Sequence, residues 1–523
     1  MPAPLFPLLS NLFLVRNEDR ESMTNRGANW WNSTWTLGAI AALGVFLRVD
    51  QYLENRSLWV DEIFLATNIE QRDFAGLMKP LDYDQGSPVG FLWAERLMFQ
   101  SLGRSEYALR LIPLLVSLAA LPLFAWLARR GLRPGAAPLA VFLFAISPGL
   151  IQYSAEVKQY STDVLWTLLL LAMAWAEYGR PLAAGRALAL GLAGALAVWF
   201  SHAAVFVLGG IGLVLGFDRL ARRDWKSVGL LLLPAALWLA SFGAVFSLAF
   251  SELTENEFLL DYWQDGFMPL PPRSIKDIQW FMNAPLGLLS IPGGFALTGA
   301  AAAALLIGLY SLFASGRRGL AWLGLAPVLL ALLASGLHKY PFAGRLMLFA
   351  LPVFLLWTAE GVAYLAALPS RVPAGVLLLF LLFHPVIFTF GNVINPRPHT
   401  EIRPVVEHLN KHWQPGDTLY LYYHTVPMFE YYMDRERFRK GDYIEGVRSR
   451  EDWRRYAEDL DRLRGRPRVW VMLSHIWRRS GVDEEKFFTY HLDTLGRQLD
   501  AFREANASVY LYDLSSHDTK ITP

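Results

Sequence analysis

The chain has 523 residues, 54% of them hydrophobic, 19 of them Trp, and a formal net charge of +2. Such an apolar composition excludes an ordinary soluble globule, and the near-neutral balance gives no sign of a nucleic-acid partner. With no Cys there are no disulfides, thiolate nucleophiles or Cys-ligated zinc. Charge is unevenly spread: residues 395–523 hold 42 of the 94 Asp, Glu, Lys and Arg in a quarter of the length. A polytopic membrane body over 35–394 and a water-soluble C-terminal module over 395–523 are therefore expected.

In chain order, an apolar patch runs from Pro4 to Val15. It lacks a preceding basic region and a small-residue cleavage site, so it does not read as a signal peptide. An interfacial segment and a true start at Met23 both stay open. Residues 1–34 are placed on the cytoplasmic side. A bilayer core takes about 20 apolar residues per helix, with a range of about 17–25. Eleven stretches qualify, at about 35–53, 107–128, 136–152, 162–178, 186–201, 203–217, 228–250, 286–313, 319–337, 345–366 and 373–394. The fifth and sixth are one long run divided at Ser201-His202. Arg129, Arg130 and Arg133 follow the second stretch, Arg180 and Arg186 the fourth, and Arg219, Arg222, Arg223 and Lys226 the sixth. Arg317 and Arg318 follow the eighth, and Arg371 the tenth. Every even-numbered exit is basic, which makes those loops cytoplasmic. The odd exits and the C-terminal module then face outward. Pro88 to Leu102 is apolar but short and contains Glu95-Arg96, which suits an interfacial helix. It lies in a first outer loop, 54–105, long enough to carry function.

Ionisable residues gather at the outer ends of the helices. They are Asp61 and Glu62 just past the first stretch, Asp82 and Asp84, Glu106 and Arg110, Glu156, Lys158 and Asp163, His202, and His338, Lys339 and Arg345. Acids beside cations at one membrane face fit chemistry on a lipid-linked phosphate: the cations neutralise the phosphate, and a carboxylate takes a proton from an attacking hydroxyl. Each residue also has a plain structural reading. The acidic pair would be a solvated loop, and Arg110, Lys339 and Arg345 snorkelling anchors. Glu156 and Lys158 would pair with each other, and His202 would sit in a hairpin. Tyr153 and Tyr160 fit an aromatic belt. Asp163 is harder to explain away, because it opens an otherwise apolar span.

Four stretches carry a family resemblance: Ser57-Leu58-Trp59-Val60-Asp61-Glu62; Gly86-Ser87-Pro88 through Pro113; Ser147-Pro148 with Tyr153 to Asp163; and Tyr340-Pro341-Phe342-Ala343-Gly344-Arg345. In this order they resemble the GT-C glycosyltransferases, specifically the family 39 and RgtA/B/C/D-like group related to protein O-mannosyltransferases and aminoarabinose transferases. Where relatives often carry Pro-Pro or Lys-Pro-Pro, this chain has Gly86-Ser87-Pro88, so a lysine that touches the donor phosphate in some of them is missing. The resemblance implies a cell-membrane enzyme that moves a sugar from a polyprenyl-phosphate donor to a hydroxyl of a lipid, glycan or protein acceptor on the outer face, with inversion. It implies Asp61 as general base with Glu62 beside it. Arg110, Lys158, Lys339 and Arg345 would bind the phosphate, and Asp84, Glu156, Asp163 and His202 would line the site. No cofactor is implied, and no metal ligands are assigned, although a divalent metal is compatible with the class. The rival class is a transporter or flippase of envelope glycan precursors, but such proteins tend to show internal repeats and helices broken near mid-membrane. No repeat is visible here.

The tail predicts a helix over 401–413, a strand over 418–423, a helix near 450–464, a strand over 468–473, a last helix over 484–505 and a strand over 508–514. That alternation suggests a three-stranded parallel sheet with helices.

Overall fold

The computed structural model describes residues 31–250, 256–476, 478–479 and 482–515; the predicted segment Pro4–Val15 lies outside them. Among the described residues, seven helices are individually long and apolar enough to cross a bilayer: Thr34–Leu53, Glu106–Gly131, Ala204–Ala221, Trp225–Leu248, Arg318–Gly336, Gly344–Ala366 and Val372–Ile394. Ala136–Ile146 and Pro148–Ala155 meet the same criteria only together, as a pair bent by 52°, the geometry of a broken span or a re-entrant loop. Tyr160–Glu177, Ala184–Phe200 and Thr298–Ala314 occupy the remaining predicted stretches. The protein is a polytopic helical membrane protein with a C-terminal sheet.

One predicted span differs. The stretch 286–313 is not a single helix: Ile275–Ser290 ends first, and the rest forms the separate, shorter apolar helix Thr298–Ala314. Pro292-Gly293-Gly294 breaks the run, with Gly294 at φ +84°. The turn also seats on the Pro148 bend so closely that a Cβ on Gly149 would lie 2.5 Å from the Pro292 carbonyl. The short segment at 88–102 is the separate helix Val89–Leu102, as its length suggested.

The even-numbered exits share one end of the helical body. Arg133 and Arg317 converge on Glu360, and the Gly179 amide donates to Asp218 at the foot of Ala204–Ala221. Tyr178 packs against Gly319, which joins these two groups. At the opposite end lie the first loop, the Pro148 bend and the C-terminal region.

The C-terminal sheet has five strands: β1 (Thr418–Leu421), β2 (Ile444–Glu445), β3 (Val469–Ser474), β4 (Arg497–Glu504) and β5 (Ala507–Asp513), in the order β2-β1-β3-β5-β4. β1 pairs parallel with β2 and β3, while β5 is antiparallel to both β3 and β4. The sheet is thus mixed, and the three-stranded parallel expectation is corrected. The predicted last helix stops at Leu495, because Gly496 lies against the Asp513 carbonyl, which a Cβ would meet at 2.0 Å. The chain then runs as edge strand β4 and reverses at Asn506, whose φ of +52° suits Asn.

This region is bound to the first loop. Leu58, Ile63 and Phe91 share one apolar cluster with Val405, Phe429 and Trp470. Glu401 accepts from the Ser57 hydroxyl at 2.8 Å, Arg403 pairs with Glu106 at 2.7 Å, and Tyr432 accepts from the Leu58 amide at 2.8 Å.

Candidate active site

Asp61 and Glu62 open the helix Val60–Gln71, where the helix dipole favours acids. Glu62 also caps that helix by accepting from the Trp59 amide. Successive helical residues point about 100° apart, so the two carboxylates diverge. Glu62 turns inward and is 1% exposed. Arg110 grips it with two bonds, of 3.0 and 2.7 Å, and the Val157 amide donates to it at 2.9 Å. Two further donors of Arg110 go to the carbonyls of Arg56 and Ser57. Both groups are consumed in fixing the loop, so the structure turns Arg110 toward Glu62 rather than toward Asp61.

Asp61 meets different company. Arg345 lies 2.6 Å from one carboxylate oxygen and Lys158 3.5 Å from the other. Arg345 stands at the start of the 3₁₀ turn Gly344–Ala350, which leads into the tenth span. Trp59, Tyr160 and Trp263 ring its guanidinium at 5.8–5.9 Å. Its Nε is buried and has no hydrogen-bond partner among the described residues. Lys158 gives a second hydrogen bond to Gln85 at 2.7 Å. An ammonium has three donors, so one remains. Burial pushes the Asp61 carboxyl up, but the charges of Lys158 and Arg345 outweigh it and hold the group below its usual range. Burial likewise pushes the Lys158 ammonium down, against the pull of Asp61. The Asp61 carboxylate is therefore ionised near neutral pH.

The other expected residues are distributed around this centre. Asp163 is buried just inside Tyr160–Glu177, bonded to Ser201, with one oxygen unpartnered among the described residues. Glu156 accepts from Gln152 at 2.8 Å and lies 3.9 Å from His399. Burial first, and the charge of Glu62 second, push the Glu156 carboxyl up to about 7. Lys158 pairs with Asp61 rather than Glu156. His202 is half-buried in the turn between Ala184–Phe200 and Ala204–Ala221. Asp84 is exposed at the end of the 3₁₀ turn Asp82–Asp84 and accepts from Asn256. Lys339 is exposed, and among the described residues no side-chain bond ties it to the carboxylates. Gln85, Trp59, Trp263, His399 and the clamp residues Glu401 and Arg403 were not among the expected site residues. Neither neutral groups nor residues 300 positions downstream announce themselves in a search for charges at helix ends. A cavity of about 280 Å³ opens beside Glu156, lined among others by Asp50, Arg56, Gln152, Arg397 and His399; Asp61 is not in its wall.

No family model and no curated protein matches this sequence. Solved structures do match. ArnT from Cupriavidus metallidurans bound to undecaprenyl phosphate superposes with a TM-score of 0.54 at 14% identity, covering 92% of this chain and 98% of that one. Its apo state gives 0.53 at 12% identity, covering 92% and 99%. The fold is GT-C. The superposition leaves only about a twelfth of this chain uncovered.

Proposed function

We propose that this protein is an inverting glycosyltransferase that moves a sugar from a polyprenyl-phosphate donor to a hydroxyl acceptor at the face where Asp61 lies, the outer face of a cell membrane. The observation that carries the reading is Asp61 held between Lys158 and Arg345, with an unused buried donor on Arg345. The GT-C fold and the basic exits at the opposite end support it. Family 39 remains the group whose motifs the chain resembles. In this reading residues 35–394 form the catalytic body, 395–523 the outer module and 1–34 a cytoplasmic segment.

The chemistry follows from competition for the two cations. Before the donor arrives, Arg345 and Lys158 neutralise Asp61 and make it a poor base. A donor phosphate draws both onto itself, which restores the basicity of Asp61. The acceptor hydroxyl attacks the anomeric carbon and its proton passes to Asp61. The bond to the phosphate oxygen breaks, and the cations hold the departing polyprenyl phosphate. Glu62 and Arg110 position the loop. Asp163 and Glu156 line the surroundings, and no cofactor is required.

The test is transfer by the purified protein from a synthetic polyprenyl-phosphate sugar to an acceptor extract. Release of free polyprenyl phosphate together with a glycosylated product is expected. Movement of intact donor across vesicles without cleavage would instead favour the flippase reading.

A further inference from the structure

The helix Ile402–His412 and the edge strand β4 bring His408, His412 and Asp500 together, with one ligand atom of each lying within 4.8 Å of the others. The two histidines are four residues apart, so they project from one helical face. Their rings lie 4.2 Å apart. The His408 Nε2 is 2.7 Å from Asp500 Oδ2. The His412 Nδ1 is 2.9 Å from the His408 carbonyl of its own helix. That bond fixes the tautomer and leaves Nε2 as the free ring nitrogen, as an outer-shell carbonyl does for metal-bound imidazoles. Stacking of the His408 ring on Phe502 (4.6 Å, 7°) and its edge contact with Trp470 restrict it further.

We propose that His408, His412 and Asp500 bind a divalent transition metal, zinc being the best fit, at a site built into the C-terminal sheet apart from Asp61. Two imidazoles and a carboxylate suit zinc, with bonds of about 2.0–2.2 Å and a fourth position left to water. Closing from the present spacing requires only that Asp500 step back from His408 and that the exposed His412 ring swing in. The alternative is a plain His408–Asp500 hydrogen bond between helix and strand, with His412 a bystander. The metal would brace the C-terminal end of the helix Ile402–His412. Just before its N-terminus Glu401 accepts from Ser57, and within its first turn Arg403 pairs with Glu106, so bracing would stiffen the clamp on the loop that carries Asp61.

The experiment uses the full chain, purified in detergent without a polyhistidine tag and stripped with chelator. Titration with Co²⁺ alone is expected to give one equivalent of tight binding, visible ligand-field bands and a raised Tm, and Zn²⁺ should displace the bands. His412→Ala tests the site without disturbing the stacked His408. It is expected to weaken Co²⁺ binding by more than about 100-fold, beyond the loss caused by removing an outer-shell partner, while the Tm of the metal-free protein stays within about 2 °C of the unsubstituted chain. Absence of stoichiometric binding, or binding unchanged in H412A, would overturn the proposal.

Discussion

Two carboxylates, one near each end of the helical body, are each flanked by two cations. Glu360 is fully buried and saturated: Arg133 bonds it through its backbone and side chain, the Ser311 hydroxyl donates to it, and Arg317 grips both its oxygens. Asp61 keeps 16% of its side chain exposed, one of its cations stands off at 3.5 Å, and the other retains a buried donor without a partner among the described residues. The same three charges thus give a closed strut in one place and an open, ligand-ready group in the other. Charge clusters alone do not separate structure from function; unspent hydrogen-bonding capacity does.

The comparison can be broken by substitution. Asp61→Asn should lower transfer per folded molecule by about 10²–10⁴, with a smaller fall in Tm than Glu360→Gln. Activity within a few-fold of normal in a donor-cleavage assay would remove the base assignment. Arg345→Ala should cost about 10²–10³ in kcat/KM, again with little loss of folded protein. Glu360→Gln should do the reverse. Leaving two arginines without their counter-charge is expected to cost about 3 kcal/mol of stability, seen as reduced yield and Tm, with normal turnover per folded molecule. A catalytic defect in that variant without destabilisation would erase the contrast between the two ends.

The pH dependence sharpens it further. Burial and Glu62 raise the folded Glu156 carboxyl from an ordinary 4.5 to about 7. A carboxyl raised in the folded state binds its proton more tightly there, so its favourable contribution is complete below about 4.5 and is lost as pH climbs through 7. The Tm of the unsubstituted chain should therefore fall relative to that of Glu156→Gln over this window, and parallel Tm curves would refute the assignment. The smallest effect belongs to Lys339→Ala. It is expected to change activity by less than about 2-fold, because an exposed lysine with no carboxylate partner contributes little.

Much of this was legible in the sequence. Spans follow from length and hydropathy, and the basic exits Arg133 and Arg317 placed their loops on one end. Asp61, Lys158 and Arg345 were legible because charges near a bilayer are costly enough to stand out. What escaped has physical causes. Arg110 looked like a phosphate binder because a sequence shows a charge but not the Glu62 that absorbs it. The break before Thr298 was hidden inside an apolar run, since apolarity is equally compatible with a turn buried against Pro148. The strand Arg497–Glu504 has helix-forming residues, and its pairing with Ala507–Asp513 overrides that local preference.

The clamp between Ser57 and Glu401 joins residues 344 positions apart. A ribosome makes the first long before the second, so the loop bearing Asp61 must wait, unfastened, while most of the membrane body is inserted. Only when the final quarter of the chain emerges can that loop be locked against Glu401, Arg403 and Tyr432. Order of synthesis therefore acts as a completeness check: a chain cut short before this region would lack the contacts that fasten the loop bearing Asp61.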